Sequence, residues 1–324
     1  MQAIVQDRYG SPDVLRVEEV DTPTVGANRV LVRVRAASVN ARDWHIMRGD
    51  PYLARLVFGP TRPRTRIRGT DFAGVVEAVG TNVRRFAPGD EVFGEAEGTF
   101  AEYVAAPEDT VGPKPADLTF EQAAALPLAG YTALMGLRDL AGVRPGHRVL
   151  INGASGGVGT FAVQMAKAFG AEVTGVCSTR NVSLVESLGA DHVVDYTRTD
   201  FAGTDVRYDV VFDLVGNRTL ADCRRVLAPE GALVLSGGGT SEGGSLVGPM
   251  GLLLRGRLAS RFGRGRVLVL TAKPTRENLN ALAELAGSGR ITASIERVYS
   301  FGEAPEAIRR LEVEHARAKV VIAM

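Results

Sequence analysis

The segment Val149–Arg180, VLINGASGGVGTFAVQMAKAFGAEVTGVCSTR, constrains the fold more than any other part of the chain. The apolar run Val149–Asn152 predicts a buried strand that opens into Gly153-Ala154-Ser155-Gly156-Gly157-Val158-Gly159. Apolar residues then recur at Val158, Phe161, Ala162, Met165 and Phe169, the spacing of one helix face. Gly170 is placed to stop that helix, and Glu172–Cys177 reads as a second strand. Strand, glycine turn, helix and strand make the βαβ unit that binds a dinucleotide pyrophosphate at a helix N-terminus. Such a turn needs bare backbone, because amide N–H groups must approach the phosphates with no Cβ between. Against the pattern G-x-G-x-x-G the first glycine is Ala154, so Ser155, Gly156, Gly157, Val158 and Gly159 are the residues expected to hold the phosphates.

The end of the second strand bears on which nucleotide is bound. NAD sites place Asp or Glu about 20 residues after the glycine turn, where it grips the ribose 2′-hydroxyl. Here the strand ends Cys177-Ser178-Thr179-Arg180-Asn181, with no acid until Glu186. Two hydroxyls and a guanidinium suit a 2′-phosphate, which a carboxylate would repel. Ser178, Thr179 and Arg180 therefore point to NADPH; the alternative for Arg180 is a cap on a solvated loop.

Composition narrows the class. A chain of 324 residues holds two domains, each long enough for its own core. Net charge of +1 gives no reason to expect nucleic acid or an anionic membrane as partner. No run of about 18 apolar residues occurs, and the N-terminal MQAIVQDRYG has no signal-peptide core, so a cytoplasmic location is expected. The two cysteines, Cys177 and Cys223, read as small buried side chains.

The first hundred residues read as short strands: Leu15–Val20, Val30–Arg35, Gly74–Val79, Glu91–Gly94 and Phe100–Val104. Gly and Pro separate them, which suggests a small barrel-like β domain. From Thr119, a capping-box signal with Gln122 opens helix-rich sequence. Strands at Val149–Asn152, Glu172–Cys177, His192–Asp195, Asp209–Leu214, Ala232–Ser236 and Val267–Leu270 then alternate with helices near Ser183–Leu188, Leu220–Leu227 and Arg276–Ala286. That is the pattern of a doubly wound parallel sheet. β character returns at Thr292–Val298 and Val320–Ile322, after a helix near Pro305–His315, and these strands are expected to close onto the N-terminal domain.

Together, VLVRVRAASVNARDW (Val30–Trp44), GTDFAGVVEAVG (Gly69–Gly80), FAPGDEVFG (Phe86–Gly94), AAALPLAGYTAL (Ala123–Leu134), the glycine loop and HARAKVVI (His315–Ile322) resemble the medium-chain dehydrogenase/reductase superfamily. The chain is most similar to its zinc-free quinone oxidoreductase, or zeta-crystallin-like, branch. The resemblance implies an α/β protein with a GroES-like β-barrel-type catalytic domain (residues 1–122 and 293–324), a Rossmann doubly wound parallel-sheet NADP-binding domain (residues 123–292), and an active-site cleft between them. It also implies a homodimer.

The zinc-dependent alcohol dehydrogenases carry Cys where this chain has Asn40, and His-Glu where it has Thr70-Asp71. Four histidines and two cysteines without ligand spacing leave no zinc set, so no metal is expected. With no metal to polarise a carbonyl, a quinone or α,β-unsaturated carbonyl is the better hydride acceptor, because the added charge spreads onto a distant oxygen. The expected activity is NADPH-dependent quinone or enone reduction. An enoyl-thioester reductase and a non-catalytic NADPH-binding sensor are the alternatives.

By resemblance, Asn40 and Asp43 line the cleft, with His45 where many relatives carry tyrosine. Asn40 donates to a substrate oxygen or ties down its own loop; His45 returns a proton near neutral pH or faces solvent; Asp43 orients its neighbours. The Thr132 hydroxyl meets the cofactor or packs within its helix. The resemblance also implies that Tyr196 completes the NADPH clamp of Ser178 and Arg180, that Gly237 and Gly238 lie against the nicotinamide or form a flexible connector, and that Lys319 reaches the cofactor. The arginine-rich stretches Arg62–Arg68 and Leu252–Arg266 attract an anionic substrate or form a solvated face.

Overall fold

The computed structural model describes residues 1–236, 246, 248, 251, 256–257, 265–313 and 317–324. The chain divides into two compact units, Met1–Tyr131 with Lys273–Met324, and Thr132–Ala272. These boundaries differ from 122/123 and 292/293. The helix Arg276–Gly287 belongs with the first unit because its buried face, Leu279 and Leu282, meets Gly112 and Gly130.

The first unit is organised by the strand Arg29–Val39, buried along its length except at the exposed Arg29, Arg33 and Arg35. Asp71–Val79 pairs antiparallel along one side of it. The other side is shared: Tyr103–Pro107 pairs with residues 29–33, and Lys319–Ala323 pairs with residues 36–39. Glu91–Glu95, Val111–Pro113 and Ile295–Ser300 extend the sheet. Two strands sharing one edge give the curved, barrel-type wrap over a core that includes Ile4, Met47, Phe72 and Phe100. The ribbon of Gln2–Val5 with Arg16–Glu19 joins through bridges from Ala3 to Ala101 and Val5 to Ile67. The helix Phe120–Ala124 starts at the Thr119–Gln122 capping box legible in the sequence.

The second unit is a six-stranded, wholly parallel sheet. Across it run His192–Asp195, Glu172–Cys177, Arg148–Asn152, Tyr208–Asp213, Leu227–Leu235 and Arg266–Val269. In chain order this is 3-2-1-4-5-6, the doubly wound dinucleotide-binding arrangement, and the order reverses between Arg148–Asn152 and Tyr208–Asp213. Cys177 and Cys223 are both buried, and burial pushes their thiols up to about 11 and about 12, which leaves them unreactive. Among the described residues no helix is long and apolar enough to cross a membrane.

Candidate active site

In the second unit the helix Gly157–Ala168 begins directly behind the strand Arg148–Asn152. Its residues Gly159–Ala166 are buried, whereas Ser155–Val158 stay partly accessible. The cap is Gly156, which has no side chain to satisfy the first-turn N–H groups, so these are left for an external acceptor. The two glycines flanking that turn differ in reason. A Cβ on Gly159 would overlap the Gly153 carbonyl oxygen and lie 2.7–2.8 Å from the Ala154 backbone, so packing of helix on strand demands glycine there. A Cβ on Gly156 would meet nothing nearer than 3.4 Å, so the protein itself does not demand glycine at that position. Bare backbone at that position leaves room for a group approaching from outside the protein.

The carboxyl ends of the neighbouring strands converge on this turn. Asn181 is buried; its Nδ2 donates to Ser155 Oγ at 3.0 Å and to Ser178 Oγ at 3.3 Å, fastening the glycine turn to the end of the second strand. Its Oδ1 is buried without a protein partner. At the switch point, Asn152 Nδ2 donates to Asp213 Oδ1 at 2.8 Å, while Asp213 Oδ2 is buried and also unpartnered. Orphaned acceptors at the carboxyl ends of these strands fit a ligand rich in hydroxyl donors. Neither Asn181 nor Asp213 was singled out from sequence; Asp213, closing the apolar run VVFD, carried the available signal.

Thr179 and Arg180 are exposed at the same edge, Ser178 is partly exposed, and Tyr196 is 51% exposed, its N–H donating to Cys177 O at 3.0 Å. Thr179 is engaged: its hydroxyl donates to Asp195 Oδ2 at 2.6 Å. A carboxylate therefore stands beside the second strand after all, delivered by the third. Thr132 is buried in the helix Pro127–Leu134. Gly237 and Gly238 lie outside the described residues.

The first unit contains a buried polar cluster. Ser38, Asp71 and Glu95 lie side by side on three adjacent strands. Asp71, fully buried, accepts from Ser38 Oγ at 3.1 Å, Asn40 Nδ2 at 2.9 Å and Leu128 N at 3.2 Å, with Lys319 Nζ 3.7 Å away. Lys319 Nζ donates to Asn40 Oδ1 at 2.6 Å. The remaining Asn40 donor contacts Ser38 O at 3.3 Å, so both ends of this amide are used inside the unit: it ties down its own segment. Likewise Lys319, which the resemblance sends to a cofactor, is 2% exposed and occupied with Asn40 and Asp71.

Asp43 orients rather than exchanges. Its Oδ2 accepts from Asn40 N at 2.8 Å, within the capping box of the helix Ala41–Arg48, and its Oδ1 accepts from Thr70 Oγ1 at 2.7 Å. Burial raises its carboxyl to about 6 against those two hydrogen bonds. Burial, then the charge of Asp71, raises Glu95 to about 7, although Arg42 donates to it at 2.7 Å and Tyr131 donates its hydroxyl to the other oxygen. His45 stacks on Trp44 with ring centroids 3.8 Å apart, and burial lowers its pKa. Its Nδ1 lies 2.8 Å from Asp50 O, which assigns the proton to Nδ1 and leaves Nε2 an acceptor. Burial thus disfavours the imidazolium, the form that a proton donor at this position needs. Of the Arg62–Arg68 stretch, Arg66 pairs with Asp7 and Glu18 and Arg68 is buried. Most of Leu252–Arg266 is outside the described residues.

The alcohol dehydrogenase GroES-like domain family matches residues 26–116, and the zinc-binding dehydrogenase family matches residues 188–322. The mitochondrial NAD(P)H oxidoreductase RTN4IP1 of Bos taurus is 35% identical over 99% of this chain and 89% of its own. The 2-methylene-furan-3-one reductase of Solanum lycopersicum is 35% identical over 99% of this chain and 79% of its own. The quinone oxidoreductase structure from Coxiella burnetii, 32% identical, superposes with a TM-score of 0.88 over 100% of this chain and 99% of that one. This chain belongs to the medium-chain dehydrogenase/reductase superfamily, in its quinone oxidoreductase branch. It is accordingly an oxidoreductase with a nicotinamide cofactor and a small-molecule substrate. Asn40 and Asp71 are hydrogen-bonded within the cluster around Lys319, and Thr70 donates to Asp43 beside it.

Proposed function

We propose that this chain is a zinc-independent reductase that uses NADPH to reduce a quinone or an α,β-unsaturated carbonyl. The observation that carries the reading is the cluster at the zinc positions. A buried ammonium, that of Lys319, bonds Asn40 and faces Asp71, and Asp43 takes up Thr70. Neither a thiolate nor an imidazole is offered there, and the polar atoms present are committed to one another. The acceptor that fits such a site disperses added charge through conjugation. The names of the tomato and Coxiella relatives agree with that class.

When bound, the reduced nicotinamide supplies a hydride. The chain's own residues do the rest. The first turn of Gly157–Ala168 offers N–H groups to the pyrophosphate, and Asn181 holds Ser155 in place beside it. Ser178, Arg180 and Tyr196 take the 2′-phosphate, which supports NADPH as the donor. Asn40 and Asp43 fix the strand-to-helix corner before His45, whose bare Nε2 holds a water by accepting its hydrogen bond. The proton that completes reduction then comes from water. The reading includes a cytoplasmic homodimer, which light scattering of the purified chain checks.

The test is NADPH consumption by the purified chain with a panel of quinones, enals, enones and enoyl thioesters, with and without a chelator. Turnover of quinones or enones, indifferent to the chelator, is expected. Activity lost to the chelator and restored by zinc overturns zinc independence. Tight NADPH binding without turnover of any acceptor replaces the enzyme reading with a sensor.

A further inference from the structure

Asp195 stands at the end of the third strand, beside the Thr179 hydroxyl. The third strand, His192–Asp195, pairs in parallel with the second so that Asp195 lies opposite Cys177. Beyond that pair, Thr179 is about 20 residues after Gly159, the place at which NAD sites carry their ribose-binding acid. Thr179 has no charge, but its hydroxyl draws in Asp195 Oδ2 at 2.6 Å. The other carboxylate oxygen accepts from Thr197 N at 3.0 Å and Thr197 Oγ1 at 2.7 Å, and Thr197 Oγ1 lies 2.9 Å from Thr179 Oγ1. These bonds, the Thr179 hydroxyl first, hold the carboxyl below its usual range, so it is ionised at neutral pH. Arg198 lies 3.6 Å away with its side chain 76% exposed, a solvated partner that offsets the charge only in part.

We infer that Asp195, held by Thr179, is a specificity-determining residue: a carboxylate from the third strand does the work of the missing second-strand acid and keeps NADH usable beside NADPH. The inference rests on the nicotinamide-binding reading above. On the ribose of NADH the carboxylate accepts from the 2′-hydroxyl; on NADPH it faces a 2′-phosphate of like sign and works against Arg180.

The test measures Kd for NADPH and NADH by nicotinamide fluorescence with the whole chain. Asp195→Asn is expected to shift the ratio of the two constants toward NADPH by about threefold to tenfold, given the size of partly exposed charge interactions. Asp195→Glu, which keeps the charge, is expected to stay closer to wild type. Thr179→Val, which frees the carboxylate, should move the ratio the same way by about twofold, and it carries the test alone if Asp195→Asn does not fold. A ratio unchanged in the folded variants overturns the inference while leaving nucleotide binding intact. Failure of the wild-type chain to bind either nucleotide is a different result, and removes the nicotinamide reading together with this one.

Discussion

The two units handle charge in opposite ways. The nucleotide edge of Thr132–Ala272 is built from backbone N–H groups, exposed hydroxyls and surface charges, with two buried acceptors left open. The cluster in the other unit is built from Asp43, Asp71, Glu95 and Lys319, all buried, and every one bonded to a neighbour. The first arrangement is unfinished without a ligand; the second is complete without one. A site that must admit and release a molecule keeps its polar groups near water. Groups that set the shape of a corner are better locked away, at a desolvation cost that only mutual pairing offsets.

The sharpest way to break this contrast is Lys319→Met. It leaves Asp71 buried with no cation beside it, and should cost about 3–5 kcal/mol in denaturant unfolding, since removing one partner strands the other. Gly159→Ala should cost about 1–3 kcal/mol, because the added Cβ forces the helix off the backbone of the Gly153–Ala154 turn. Gly156→Ala should leave the melting temperature nearly unchanged and weaken nucleotide binding instead. Similar unfolding curves for the two glycine variants would contradict the different roles assigned to them. Arg180→Ala should raise the NADPH KM by about tenfold, the worth of one charge-assisted hydrogen bond, with NADH little affected; an equal effect on both removes the clamp.

The smallest effect is a slope. Glu95 is raised from 4.5 to about 7, so the folded state holds a proton that the unfolded chain has released. Its contribution is present in full below 4.5 and is lost as pH rises through about 7. Glu95→Gln should flatten the fall in stability over that window, as followed by chemical denaturation at several pH values. An undiminished slope assigns the titration elsewhere.

Much of the fold was legible because it is local. The glycine turn, its helix and the second strand lie within 32 consecutive residues and carry their own periodicity. The Thr119–Gln122 capping box also lies within one turn, and it formed as read. The parts that escaped are pairings between residues far apart in sequence. Nothing near Asp71 announces Lys319, and nothing near Thr179 announces that Asp195 will turn toward it, because strand register decides both. Along the chain no acid follows the second strand until Glu186, whereas across the sheet the third strand brings Asp195 to Thr179. At Asn40 and His45 the sequence leaves two readings each, because the partners Lys319 and the Asp50 carbonyl decide which atoms remain free.

The strand Lys319–Ala323 sits between Ile295–Ser300 and Arg29–Val39. During synthesis, then, residues 29–39 leave the ribosome long before the neighbour that covers half of one edge, while every strand of the other unit has already emerged. The unit whose chain starts first is the one that finishes last, and in the interval its unpaired strand edge is open to other chains.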